Sequence, residues 1–177
     1  MLISPERLDR LAALDALWVR RLHRCTNRPS VLFCLRVASR LGDGAFWYCL
    51  IAAVAIVFGE RGRACALHMV LAGAMGVLLV HWLKRCTARS RPYECLGDVR
   101  LHGRALDRFS FPSGHTVHAV AFTAVLAHYY PGLALSLLPF IIILGFSRVM
   151  LGLHYPSDVL AGVAIGILLA LLTPVFT

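Results

Sequence analysis

The sequence predicts an all-α fold, a polytopic transmembrane bundle of about five to six spans of roughly 20 residues each, preceded by an amphipathic helix at the membrane interface. Three observations predict it. Of 177 residues, 59% are hydrophobic and 15% charged, against about 45–50% and about 25% in soluble domains. Mean hydropathy is +0.73. The basic residues that give a net charge of +9 lie between apolar blocks, where they serve as juxtamembrane anchors or meet an anionic headgroup rather than nucleic acid. Two regions follow: an amphipathic interfacial segment over 1–30 and a transmembrane region over 31–177.

In the first region Leu8, Leu11, Leu14, Trp18 and Leu22 recur at helical spacing, surrounded by Glu6, Arg7, Arg10, Arg20 and Arg21. The stretch is too charged to span, so it is expected to lie at the interface with Trp18 at headgroup depth. The same mixing of charge predicts no cleavable signal peptide.

The first span is read as Ala45 to Gly59, with an apolar approach from Val31 that carries Arg36, Arg40 and Asp43. The second runs from Ala64 to Leu83. A polar loop from Arg85 to Ser110 follows. The third span starts near His115 and stops before Pro131, the fourth covers Leu133 to about Met150, and the fifth Pro156 to about Phe176. The six cysteines include no C-x-x-C pair. Cys34, Cys49 and Cys65 read as small hydrophobes, whereas Cys86 and Cys95 share a loop and could pair in an oxidising compartment.

Alternating these spans brings the end of the second and fourth and the start of the third and fifth to one face. Their polar clusters therefore converge there. "KRCTARSRP" places Lys84 and Arg91 two turns apart, a pair of cations suited to an anion of high charge density. "PSGH" offers Ser113 as an N-cap, Gly114 where a ligand can approach the backbone, and His115 in the first turn. "SRVMLGLHYPSD" ends a span at Arg148, then brings His154 near Asp158 in the first turn of the next helix. A carboxylate holding one imidazole nitrogen leaves the other free as a base or nucleophile. Ionisable groups at membrane depth are costly and normally functional, and three cations with two histidines suit phosphoryl transfer better than proton movement.

In order and spacing these motifs match K-x6-R-P, P-S-G-H and S-R-x5-H-x3-D, so the sequence resembles the type 2 phosphatidic acid phosphatase (PAP2) family. The resemblance implies that His154 attacks phosphorus and forms a phosphohistidine, that Asp158 orients it, and that His115 protonates the leaving oxygen and later activates water. It implies that Lys84, Arg91 and Arg148, with Ser113 and the Gly114 N–H, hold the phosphate oxygens. No cofactor is implied, and no carboxylate cluster suited to magnesium is present.

The small bacterial members that it resembles act on polyprenyl diphosphate, so the expected activity is hydrolysis of undecaprenyl diphosphate to the monophosphate in a bacterial inner membrane. Phosphatidylglycerophosphate or phosphatidic acid hydrolysis, phosphoryl transfer to a lipid acceptor, and plain binding of anionic lipid stand as alternatives. Arg100, His102, Arg104 and Arg108 are candidates for a second phosphate or another anionic headgroup. Only Arg61 and Arg63 of the 18 Lys and Arg fall opposite the site. Positive-inside placement would thus put the site in the cytoplasm, whereas the resemblance implies an outward-facing one; both stay open.

Overall fold

A computed structural model describes residues 5–173. The side chain of Leu8 and the expected end of the last span, residues 174–177, lie outside the described residues. Among those described there are eight α-helices and no strand. They are α1 (Pro5–His23), α2 (Pro29–Leu41), α3 (Ala45–Val57), α4 (Gly59–Thr87), α5 (Pro92–Cys95), α6 (Gly114–Tyr129), α7 (Pro131–Met150) and α8 (Pro156–Leu172), with a 3-10 turn at Arg24–Asn27 between α1 and α2.

Proline sets many of the starts. Pro29, Pro92, Pro131 and Pro156 each open a helix, where the missing N–H would have been unpaired in any case. Ala88, left-handed at φ 44°, ends α4.

The centre of the bundle is α6, which packs against α4, α7 and α8, while α3 packs on α4 and α2 on α7. Trp47, Met69, Val117, Phe122, Leu126 and Leu144 are buried around it. Two glycines let α8 come unusually close: a Cβ at Gly162 would lie 3.0 Å from the Ser113 carbonyl oxygen, and one at Gly166 2.7 Å from that of Val117. Small residues four apart are a common means of close helix contact in membranes, and here they fix the height of the α8 N-terminus against that of α6.

The outer face is apolar. Tyr48, Ile56, Leu78, Leu135 and Leu171 are each more than 65% exposed, a belt that a water-soluble monomer does not carry. By length and composition, two segments can cross a bilayer: Gly59–Cys95, which contains α4 and α5, and α7. The pair α2 and α3, bent by 52°, makes a third if counted as one broken span. The sequence predicts about five to six crossings. The difference lies in the helices themselves. With 16 and 17 residues, α6 and α8 reach only about 24–26 Å at 1.5 Å per residue. The apolar approach from Val31 is broken from the expected first span at Gly42–Gly44, where Gly44 has φ 119°, and this break carries Asp43.

Candidate active site

His154 sits in the turn that joins α7 to α8. The Arg148 carbonyl accepts hydrogen bonds from the N–H groups of Leu153 (3.1 Å) and His154 (3.0 Å). Gly152 allows the turn, with φ 77° and no space for a Cβ, which would lie 2.8 Å from the Arg100 carbonyl oxygen. The ring is 1% exposed, and its Nδ1 lies 2.6 Å from the Ser110 carbonyl oxygen. A carbonyl only accepts, so Nδ1 carries the hydrogen and Nε2 holds a free lone pair. Arg91 Nη1 is 3.5 Å from that Nε2. Burial, then Arg148, Arg91 and Lys84, hold the imidazole well below its ordinary 6.5. This ring is neutral and poised to donate an electron pair.

Asp158 differs from the sequence expectation. Its Oδ2 is 3.6 Å from His154 Nδ1, and the hydrogen bond goes to Ser110 instead. As the third residue of α8, Asp158 caps its own helix, accepting the Tyr155 N–H at 2.8 Å. Its other oxygen accepts from Arg89 Nη1 at 2.6 Å. Arg89 also donates to Asp15 of α1 at 2.7 Å and stacks 4.1 Å over the Tyr155 ring. Burial opposes the charge on Arg89, but Asp158 and Asp15 outweigh it and raise its pKa. Ser157 donates to Asp15 through both its N–H and its hydroxyl. Asp158 and its partners thus lock α1, the loop after α4 and the start of α8 together behind His154.

Three buried cations face the same space. Lys84 Nζ donates to both oxygens of Asp107 (2.7 and 2.8 Å) and to the Phe109 carbonyl (3.0 Å). Arg91, 1% exposed, donates to Asp107 Oδ1 at 2.9 Å and to the Leu153 carbonyl at 2.8 Å. Burial works against the Asp107 charge, yet Lys84 and Arg91 hold its carboxyl below the usual 3.8. Arg148, also 1% exposed, donates to Ser39 Oγ at 2.5 Å, while its Nε has no partner. No carboxylate stands within ion-pair distance of Arg148 among the described residues. A buried guanidinium left this way normally has an anion to meet.

His115 opens α6 and faces the cations from the other side. Its Nε2 is 2.7 Å from Asp43 Oδ1, in the break between α2 and α3. Gly114 begins the helix at the cavity wall. Ser113, fully buried, makes no side-chain cap: its N–H donates to the Asp158 carbonyl at 3.1 Å and its hydroxyl accepts from Thr116 at 3.0 Å.

One cavity of about 690 Å³ joins these groups. Lys84, Arg91, Gly114, His115, Arg148 and His154 line its polar end, with Asp43 and Asp107. Ser113 and Asp158 stand behind that wall. From there the cavity runs along α3 and α4 past Ile51, Ala55, Val70 and Val77. Arg100 and His102 line a different pocket, and Arg104 and Arg108 line neither. Cys86 and Cys95 are unpaired.

Sequence reasoning missed Asp43, Asp107, Ser110 and Arg89. Asp43 had a signal, an acid between two glycines inside an apolar stretch, and Arg89 lay inside a quoted motif. Ser110 acts through its main-chain carbonyl, which no residue type announces.

The family model of the PAP2 superfamily matches residues 65–177, more than half the chain. A lipid A 1-phosphatase of Rhizobium etli is 34% identical over 154 residues, covering 76% of this chain; the chain spans 66% of that relative's length. A decaprenylphosphoryl-5-phosphoribose phosphatase of Mycolicibacterium smegmatis is 33% identical over 155 residues, covering 84% of this chain and 80% of the relative. Among solved structures, a transmembrane PAP2-type phosphatidylglycerolphosphate phosphatase from Bacillus subtilis superposes with TM-score 0.75 at 27% identity, covering 93% of this chain and 84% of that one.

Proposed function

This chain belongs to the PAP2 superfamily, and from that premise and the cavity we propose an integral-membrane lipid phosphatase that works through a phosphohistidine and uses no metal. The observation that carries the reading is Arg148, a buried guanidinium with no carboxylate partner among the described residues, in the same cavity as His154 with its Nε2 lone pair.

The terminal phosphate of a lipid enters among Lys84, Arg91, Arg148 and the Gly114 N–H. His154 Nε2 attacks phosphorus as the bond to the lipid oxygen breaks. The leaving oxygen takes a proton from His115, and Asp43 stabilises the imidazolium that supplies it. Water then attacks the phosphohistidine and gives its proton to His115. Phosphate leaves, and both rings return to their starting states. The fixed cations meet charge where it builds on the equatorial oxygens, an arrangement in which loss of a single donor typically costs about 10²–10³ in rate. Asp158 keeps the turn of His154 in place through Arg89 and the Tyr155 N–H, and Ser113 supports the start of α6.

The apolar stretch along α3 and α4 suits a lipid chain entering from the bilayer. The bent pair α2–α3, α4, α6, α7 and α8 cross the membrane, α1 lies at the interface, and the protein resides in a bacterial cytoplasmic membrane. The cations form one seat, which favours a terminal phosphate, whether of a monoester or of undecaprenyl diphosphate.

Phosphate release is to be measured in detergent from undecaprenyl diphosphate, phosphatidylglycerophosphate, phosphatidic acid and diacylglycerol diphosphate, for the wild type and for His154→Ala. Release from at least one lipid by the wild type, absent in the variant, supports the reading. Equal release by both overturns it. Radiolabel appearing on a lipid acceptor instead of in free phosphate would make the protein a phosphotransferase.

A further inference from the structure

A second pocket, of about 470 Å³, lies between the C-terminal end of α1 and the loop after α5. Arg20, Arg24 and Arg100 line it with Asn27 and the rings of His23 and His102. It shares no lining residue with the catalytic cavity. Asp98 is the single carboxylate in the wall, and it is paired with Arg20 at 3.0 Å. Arg24 and Arg100 have no carboxylate within ion-pair distance among the described residues. Two guanidinium groups are thus left to an outside anion, and their planar forks match phosphate oxygens.

The walls are held firmly. His23, 8% exposed, donates from Nδ1 to the Met150 carbonyl at 2.8 Å and accepts the Arg100 N–H at Nε2 at 3.1 Å. Its ring stacks on His102 at 5.1 Å, and the His102 N–H donates to the Leu151 carbonyl at 3.2 Å. Both walls therefore hang on the turn that carries His154. The pocket also sits at the end of a helix that exposes Leu11, Leu14, Leu17 and Trp18, with Arg21 over the Trp18 ring at 5.6 Å. A helix of that kind lies among headgroups, so the anion at hand is a lipid phosphate.

We propose that this pocket is an accessory binding site for the phosphate of an anionic membrane lipid, separate from the lipid that reacts. An occupant bridging Arg24 and Arg100 braces α1 and the loop against the Met150–Leu153 turn, and so steadies His154. The binding itself does not depend on hydrolysis, so the test below can fail while the phosphatase reading stands.

The direct test uses purified full-length protein in nanodiscs and a photoreactive phosphatidylglycerol, with a photoreactive phosphatidylcholine beside it. The expected result is label from phosphatidylglycerol, and little from phosphatidylcholine, on peptides within 20–27 or 98–102. In native mass spectrometry, Arg24→Gln/Arg100→Gln should retain roughly tenfold less phosphatidylglycerol, since each is expected to lose a direct charge-assisted contact to the phosphate. Arg7→Gln/Arg10→Gln, the same charge removed elsewhere on α1, should retain the wild-type amount. Label confined to other peptides, or equal label from both lipids, overturns the proposal without any variant. So does unchanged retention in the double variant joined to a selective loss of activity on diphosphate lipids, which would assign the pocket to the substrate's second phosphate.

Discussion

Asp43 Oδ1 lies 2.7 Å from His115 Nε2, across a gap of 72 residues and from a break between helices that the apolar pattern alone reads as one approach to a span. This pair gives the site its second half. In the proposed reaction the attacking His154 ring bonds to a neutral carbonyl, whereas His115 bonds to a carboxylate, which can stabilise the imidazolium formed when that ring takes a proton. Two histidines in one cavity thereby receive opposite tasks.

Asp43→Asn should lower kcat by roughly 10–100-fold, a typical range for weakened acid catalysis, with a much smaller change in KM. The loss should be large on a lipid phosphate, whose alkoxide needs a proton, and small on p-nitrophenyl phosphate, whose phenolate leaves unaided. Equal losses on the two substrates would remove Asp43 from the proton-transfer role.

Asp107 bonds to Lys84 and Arg91 where a substrate oxygen is expected to sit. Asp107→Asn should therefore tighten inhibition by inorganic phosphate or vanadate by several-fold. It should also lower the Tm by a few degrees, because two buried cations lose a shared counter-ion; added phosphate should restore the Tm. Weaker inhibition by phosphate would show that Asp107 arranges the cations rather than competing for them.

Acid should destabilise the protein in an ordered way. His154 is held well below 6.5, while the unfolded ring takes a proton near 6.5. Its stabilising contribution is complete above about pH 6.5 and is lost as the pH falls further. Asp107, held below 3.8, loses its contribution only below that value. Thermal unfolding in detergent should thus show Tm falling from about pH 6.5 to pH 5. In 15N-histidine NMR, the His154 signal, assigned with His154→Gln, should keep its neutral Nδ1–H form from pH 8 to pH 6. A titration midpoint near 6.5 would refute this.

Gly166→Ala would place a methyl group 2.7 Å from the Val117 carbonyl oxygen, and backbone cannot yield as a side chain does. A loss of about 1–3 kcal/mol is expected, the usual range for overpacking. Gly97→Ala meets nothing within 4 Å and should leave thermal stability unchanged. Similar Tm values for the two variants would contradict the close approach of α8 to α6.

The sequence made the polar end of the bundle legible because its chemistry is carried by side chains whose types are unusual at membrane depth. Lys84, Arg91, Arg148, His115 and His154 stand out for that reason. Ser110 was hidden because it works through its backbone, and the bonds of Asp158 were harder to read because a carboxylate three residues into a helix has a competing use as a cap. Asp107 and Arg89 lay in a charged loop, where pairing depends on tertiary contacts rather than on spacing. The number of crossings was less legible, because apolar runs of 16 and 17 residues surrounded by other helices have the composition of a crossing but barely its length.

The central claim, that His154 Nε2 becomes bonded to phosphorus, is tested most directly by rapid alkaline quench of the protein during turnover of a 32P-labelled lipid phosphate, followed by peptide mapping. The account predicts an acid-labile label on the peptide that contains His154, reaching its plateau before phosphate release becomes steady, and absent in His154→Ala. Release of labelled phosphate at the full rate with no labelled peptide at any time would contradict it.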